Sequence, residues 1–144
     1  MERREAHILL VDDNKVDVMA VERAFRKQRI ANPIHVAEDG VAALEMIRDP
    51  DSPLGRPFLV LLDLNMPRMN GIEFLQAIRA DPALKKLIVF VLTTSSRDED
   101  LVASYDHNVA GYILKSEVGE GFVNLISLLD HYWRVVELPP EQDR

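Results

Sequence analysis

Two short apolar runs set narrow limits on what this chain can fold into. His7-Ile8-Leu9-Leu10-Val11 leads into Asp12-Asp13, and Phe58-Leu59-Val60-Leu61-Leu62 leads into Asp63. Apolar runs of this length read as buried parallel strands, covered on both faces. In an open α/β sheet, chemistry collects outside the carboxyl ends of the strands. If the two strands are parallel neighbours, three carboxylates meet at one edge. Clustered carboxylates repel, so such a site must hold a proton or a hard cation. Oxygen-only ligands in a chain without cysteine favour Mg²⁺. A carboxylate beside Mg²⁺ can accept a phosphoryl group.

The rest of the chain repeats the same alternation. Strand signals at residues 7–11, 33–37, 58–62, 87–92 and 110–114 alternate with helical signals at roughly 15–29, 40–48, 71–80, 98–106 and 118–133. Alternation of this kind implies right-handed βαβ units. Five of them fit an α/β, flavodoxin-like, doubly wound parallel sheet of strand order 2-1-3-4-5, with helices on both faces. Asn32-Pro33, the loop Asp49-Pro50-Asp51-Ser52-Pro53 and Asp81-Pro82 punctuate the helices. Phe122, Leu125, Ile126, Leu128 and Leu129 give the last helix one apolar stripe. A single domain over 1–144 is expected, with its core at about 7–130 and a short extension at 131–144.

Composition removes several function classes. A formal net charge of −7 argues against nucleic acid as a partner. The absence of cysteine excludes disulfides, thiolate chemistry and zinc–thiolate sites. The apolar run Leu87-Ile88-Val89-Phe90-Val91-Leu92 is too short to span a bilayer, and Met1-Glu2-Arg3-Arg4-Glu5 lacks a signal-peptide stretch. A cytoplasmic location without membrane association is expected. The histidines His7, His35, His107 and His131 are scattered, with none at ligand spacing from another, so none is assigned to a metal.

The segment Leu62-Asp63-Leu64-Asn65-Met66-Pro67-Arg68-Met69-Asn70-Gly71 resembles the phosphoacceptor loop of two-component response-regulator receiver domains. Asp12-Asp13 matches the acidic pair of that family. Thr93 matches its switch hydroxyl, Tyr112 its switch aromatic, and Lys115 its strand-end lysine. The resemblance covers residues 7 to about 130. It implies that Asp63 accepts the phosphoryl group from a sensor histidine kinase. It implies Mg²⁺ held by Asp12, Asp13, Asp63 and the backbone carbonyl of Asn65. Lys115 and Thr93 would contact phosphoryl oxygens, and Thr93 and Tyr112 would relay the switch. The protein would assist its own phosphorylation and dephosphorylation without being an enzyme in the usual sense. The output would be a downstream protein or a phosphotransfer protein.

A narrower resemblance is carried by Val11-Asp12-Asp13-Asn14, Val16-Asp17, Thr93-Thr94-Ser95 and the ending Tyr132-Trp133 with Leu138-Pro139. These look like the stand-alone regulators paired with bacterial and cyanobacterial phytochrome kinases. That resemblance implies a homodimer, for which Tyr132, Trp133 and Leu138 are the candidate contacts. One departure stands out: Ser116 follows Lys115 where the family usually has proline, which leaves that bond cis or trans.

Plainer readings exist for each residue. Asp12 and Asp13 could cap the first helix, Thr94 could replace Thr93, and Lys115 alone could be a solvated lysine. Gly71 suits a turn or helix start. At the level of function, the alternative is a phosphorylation-independent adaptor on the same fold, against which the acidic trio argues. Phosphatases of the haloacid-dehalogenase type would need an acid where Asn65 stands. A flavin carrier would need a hydroxyl- and glycine-rich loop where Asp12-Asp13-Asn14-Lys15 stands.

Overall fold

The computed structural model describes residues 6–55, 58–64, 66, 68–93 and 108–115. Its elements are β1 (His7–Val11), α1 (Lys15–Lys27), β2 (Ile34–Ala37), α2 (Gly40–Arg48), β3 (Phe58–Asp63), α3 (Gly71–Ala80), β4 (Val89–Thr93) and β5 (Gly111–Leu114). The helices expected at 98–106 and 118–133 lie outside the described residues.

The strands form one parallel sheet in the order β2-β1-β3-β4-β5, the expected arrangement. Alternate residues of each strand feed opposite layers. Ile8 and Leu10 of β1 join Leu59 and Leu61 of β3 and pack with Val21 and Phe25 of α1. Leu9 and Val11 join Val60 and Leu62 and pack with residues of α2 and α3, among them Ala43, Ile47, Phe74 and Ile78. Burying side chains of this size contributes about 1.5–3 kcal/mol each relative to exposure. The apolar content of β1 and β3 is thus explained by two cores, one on each face.

Each described helix begins at a specific cap. Asn14 Oδ1 accepts the Val16 and Asp17 amides, at 2.8 and 3.1 Å, and starts α1. Asp39 Oδ1 accepts the Ala42 amide and starts α2. Asn70 and Glu73 exchange side-chain-to-backbone bonds of 2.9 Å in a complete capping box at α3. Asp12 and Asp13 are therefore not the caps of α1. At its other end, α1 stops at Lys27 instead of running to residue 29. Arg29 adopts a left-handed φ of 57°, and the Ile30 amide turns back to the Phe25 carbonyl. Likewise Leu87 belongs to a turn closed onto Leu84, and β4 begins later than its apolar run suggests, at Val89.

Candidate functional site

The sheet register brings the acids together. Val11 pairs with Leu62, so Asp12 and Asp63 are the next residues on adjacent parallel strands. One carboxylate oxygen from each of Asp12, Asp13 and Asp63 lies within 4.8 Å of the others. No other group of three metal-binding side chains occurs among the described residues.

The three carboxylates have different surroundings. Asp12 and Asp63 are buried, whereas Asp13 is exposed. Asp12 Oδ1 accepts the Asn14 amide at 2.9 Å, but buried Oδ2 has no hydrogen-bond partner. Burial pushes the Asp12 carboxyl up to about 6, with the Asp63 charge adding to the rise; the Asn14 bond and the Lys115 charge oppose it. The donor set fits a hard cation: three carboxylates, no nitrogen or sulfur ligand, and one buried oxygen left without a partner.

Lys115 follows β5 directly, and its Nζ stands 3.4 Å from Asp63 Oδ1 and 2.8 Å from Asp17 Oδ2. Burial would depress this ammonium. The Asp17 hydrogen bond and the Asp63 and Asp12 charges outweigh burial and raise it, so Lys115 is a cation. Thr93 is the buried last residue of β4, paired with Leu114 of β5. Tyr112 lies in β5, partly buried against the core layer that holds α2 and α3. Asn65, Thr94, Ser95, Ser116, Tyr132, Trp133 and Leu138 lie outside the described residues.

Glycine is required where the loop after Asp63 returns to α3. A Cβ on Gly71 would come within 2.6 Å of the Leu64 Cα and 2.9 Å of the Asp63 carbonyl oxygen. Further contacts take part for which no role was read from the sequence. Arg68 Nε donates to Asp39 Oδ2 at 2.6 Å and Nη2 to Oδ1 at 3.2 Å, and the guanidinium holds the Asp39 carboxyl below its usual range. The Gly40 amide donates to the Met69 carbonyl at 3.0 Å. Together these bonds tie the loop between β3 and α3 to the start of α2. Asp17 makes the other contact, with Lys115, which stands 98 positions away. Its place in the first helical turn is explained by the helix dipole alone, so the sequence carries no signal of that contact.

A family model described as response regulator receiver domain matches residues 8–127. The chain belongs to this family. The receiver is 36% identical over 137 residues to response regulator Rcp1 of Synechocystis sp., covering 92% of each chain. Among solved structures it resembles the bacteriophytochrome response regulator RtBRR, with TM-score 0.76, 35% identity, and coverage of 95% of this chain and 85% of that one. It also resembles the phosphorylated cyanobacterial phytochrome response regulator RcpA, with TM-score 0.70, 33% identity and coverage of 94% and 99%. The Mn(2+)-bound form of response regulator Rcp1 matches with TM-score 0.67, 33% identity and coverage of 94% and 99%. The receiver is a phosphorylation-accepting signalling protein of a two-component system, related to phytochrome response regulators. No described helix is long and apolar enough to cross a membrane.

Proposed function

We propose that Asp63 is the phosphoacceptor of this receiver and that Asp12, Asp13 and Asp63, with the Asn65 carbonyl, hold Mg²⁺. The observation that carries this reading is the meeting of three carboxylates with a lysine at one sheet edge: ligand oxygens within 4.8 Å of one another and Lys115 Nζ 3.4 Å from Asp63. A carboxylate oxygen of Asp63 attacks phosphorus. The bond from phosphorus to the donor histidine nitrogen breaks, and that nitrogen keeps the electron pair. Lys115 offers N–H donors to one phosphoryl oxygen and Thr93 a hydroxyl to another. Mg²⁺, when bound, offsets the charge gathered by the acyl phosphate and its neighbouring carboxylates. In this way the chain assists its own phosphorylation and the later hydrolysis. Inward movement of Thr93 and Tyr112 then changes the surface around β5.

The donor is a sensor histidine kinase of phytochrome type, by likeness to the relatives above. The recipient is a downstream protein or a phosphotransfer protein, in the cytoplasm. The single domain spans 1–144, and Tyr132, Trp133 and Leu138 of its C-terminal extension join two copies.

Intact-mass spectrometry after incubation with acetyl phosphate tests the acceptor. Wild type gains one phosphoryl adduct that requires Mg²⁺, and Asp63→Asn gains none. An adduct that survives in Asp63→Asn moves the acceptor elsewhere. Sedimentation of the same samples at tens of micromolar tests the dimer; a monomer indifferent to Trp133→Ala removes that part of the reading.

A further inference from the structure

We propose that Asp17 is a positioning residue for phosphoryl transfer, acting through Lys115 by competing with the acceptor for its ammonium. The inference rests on the reading of Asp63 as phosphoacceptor. Its starting observation is an unequal sharing. Lys115 Nζ is 2.8 Å from Asp17 Oδ2 but 3.4 Å from Asp63 Oδ1. The first distance is that of a charge-assisted hydrogen bond, and the second lies at the outer edge of hydrogen bonding.

The start of α1 explains why Asp17 is available. Asn14 is the cap, so Asp17 occupies the third helical position, where an acid commonly turns back to the cap's own amide. Glu73 does this at α3. In α1 that duty is taken by another group, because the Asn14 amide donates to Asp12 Oδ1. Meanwhile the Asp17 amide is held by Asn14 Oδ1 at 3.1 Å, which fixes its backbone. The Asp17 carboxylate is thereby turned to Lys115. Both side chains are only partly exposed, at 33% and 25%, so solvent screens the contact incompletely.

Room to move is also present. Asp12, Asp17 and Lys115 line one cavity of about 30 Å³ together with Ala20, Val21 and Leu92. That volume admits about one water, so the space beside the Asp17 and Lys115 side chains is not filled by packing. A phosphoryl group on Asp63 adds acceptor oxygens and charge on that side. The ammonium has three N–H donors but one position, so its approach to those oxygens works against the attraction of Asp17. Asp17 therefore weakens the hold of Lys115 on the phosphoryl group.

The test is a double-mutant cycle on the full chain, read by the affinity for beryllofluoride in saturating Mg²⁺. Beryllofluoride mimics a phosphoryl group on a carboxylate without forming a hydrolysable bond. Asp17→Asn keeps the shape and removes the charge, and is expected to tighten binding three- to tenfold. In a Lys115→Ala background the same change is expected to give at least threefold less tightening. Unchanged or weaker binding by Asp17→Asn overturns the inference. So does an equal gain in both backgrounds, because simple repulsion between Asp17 and the ligand would then suffice. Asp17→Ala repeats the measurement should Asp17→Asn fold poorly. Wild type that neither binds beryllofluoride nor forms the Asp63-dependent adduct overturns the acceptor reading as well; normal wild-type behaviour with no coupling overturns the role of Asp17 alone.

Discussion

The two ends of the same sheet are built on opposite terms. At the amino end the polar groups answer one another. Asn32 Nδ2 donates to the Ala6 carbonyl at 2.8 Å. His7 and His35 stack with ring centroids 5.0 Å apart, their Nδ1 and Nε2 at 2.8 Å, and the Gly55 amide donates to His7 Nδ1 at 2.9 Å. Arg79 donates to the Lys85, Leu87 and Asn108 carbonyls at 2.8, 2.9 and 3.1 Å. At the carboxyl end, three acids crowd together, one buried oxygen is left over, and one lysine is divided between Asp17 and Asp63. β1 contributes to both, with His7 at its start and Asp12 just past its end. The amino end fixes the loops for stability, whereas the carboxyl end gives up stability in exchange for a place where charge can be received.

The comparison breaks first at Asp12. In metal-free protein, Asp12→Asn keeps the side-chain shape and removes the charge. The Asp12 carboxyl stands at about 6 against an ordinary 3.8, which sets a ceiling of about 3 kcal/mol on the cost of ionising it in the fold. A gain of about 1–3 kcal/mol at pH 8 is expected in urea unfolding. The sign follows from proton counts. Between pH 3.8 and about 6 the native state binds more protons at this site than the unfolded chain, so wild-type stability falls as pH rises through that window. Asp12→Asn lacks that contribution, and a loss of stability in this variant would show that the carboxyl end is not under charge strain.

Arg79→Ala probes the other end and carries the opposite sign. It strips three backbone carbonyls of a shared donor, for a loss of about 1–3 kcal/mol in the same unfolding experiment. A neutral result would mean that the amino end owes nothing to this network.

The smallest effect belongs to the histidine pair. Burial and the neighbouring His7 lower the His35 pKa from its ordinary 6.5. The native state therefore binds fewer protons here than the unfolded chain, and this stability, complete above 6.5, is lost as pH falls through the folded value. In an Asp12→Asn background, which removes the opposing slope, His35→Gln should lose less stability than its parent between about pH 7.5 and about pH 5.5. Parallel profiles would assign the slope to other groups.

Much of the carboxyl end was legible because its residues announce themselves locally. Asp12 and Asp63 each end an apolar run, Thr93 ends β4, and Lys115 follows β5. Parallel pairing then collects strand ends without any further information. The contacts that escaped the sequence are those set by register and by loop packing. His7 and His35 read as scattered, yet β1 and β2 pair Leu9 with His35, which brings the two rings onto one face of the sheet. Asp39–Arg68 joins two loops across 29 positions, and Asp17–Lys115 joins α1 to the residue just past β5. Neither pair has a spacing that a local pattern can reveal. One helix end differs too: α1 stops at Lys27, short of the expected 29, because the backbone turn at Arg29 outruns the side-chain pattern.

The six residues of β3 are all buried, including Asp63 at the end. A strand with two apolar faces is nearly indifferent to slippage, because every shift still buries hydrocarbon. Its carboxylate is not indifferent. A one-residue slide toward the amino end would carry Asp63 to the place of Leu62, between Val11 and Val91, where an ionised group costs several kcal/mol. The same charge that strains the finished edge therefore bars that slide and gives an otherwise featureless strand a stop on one side.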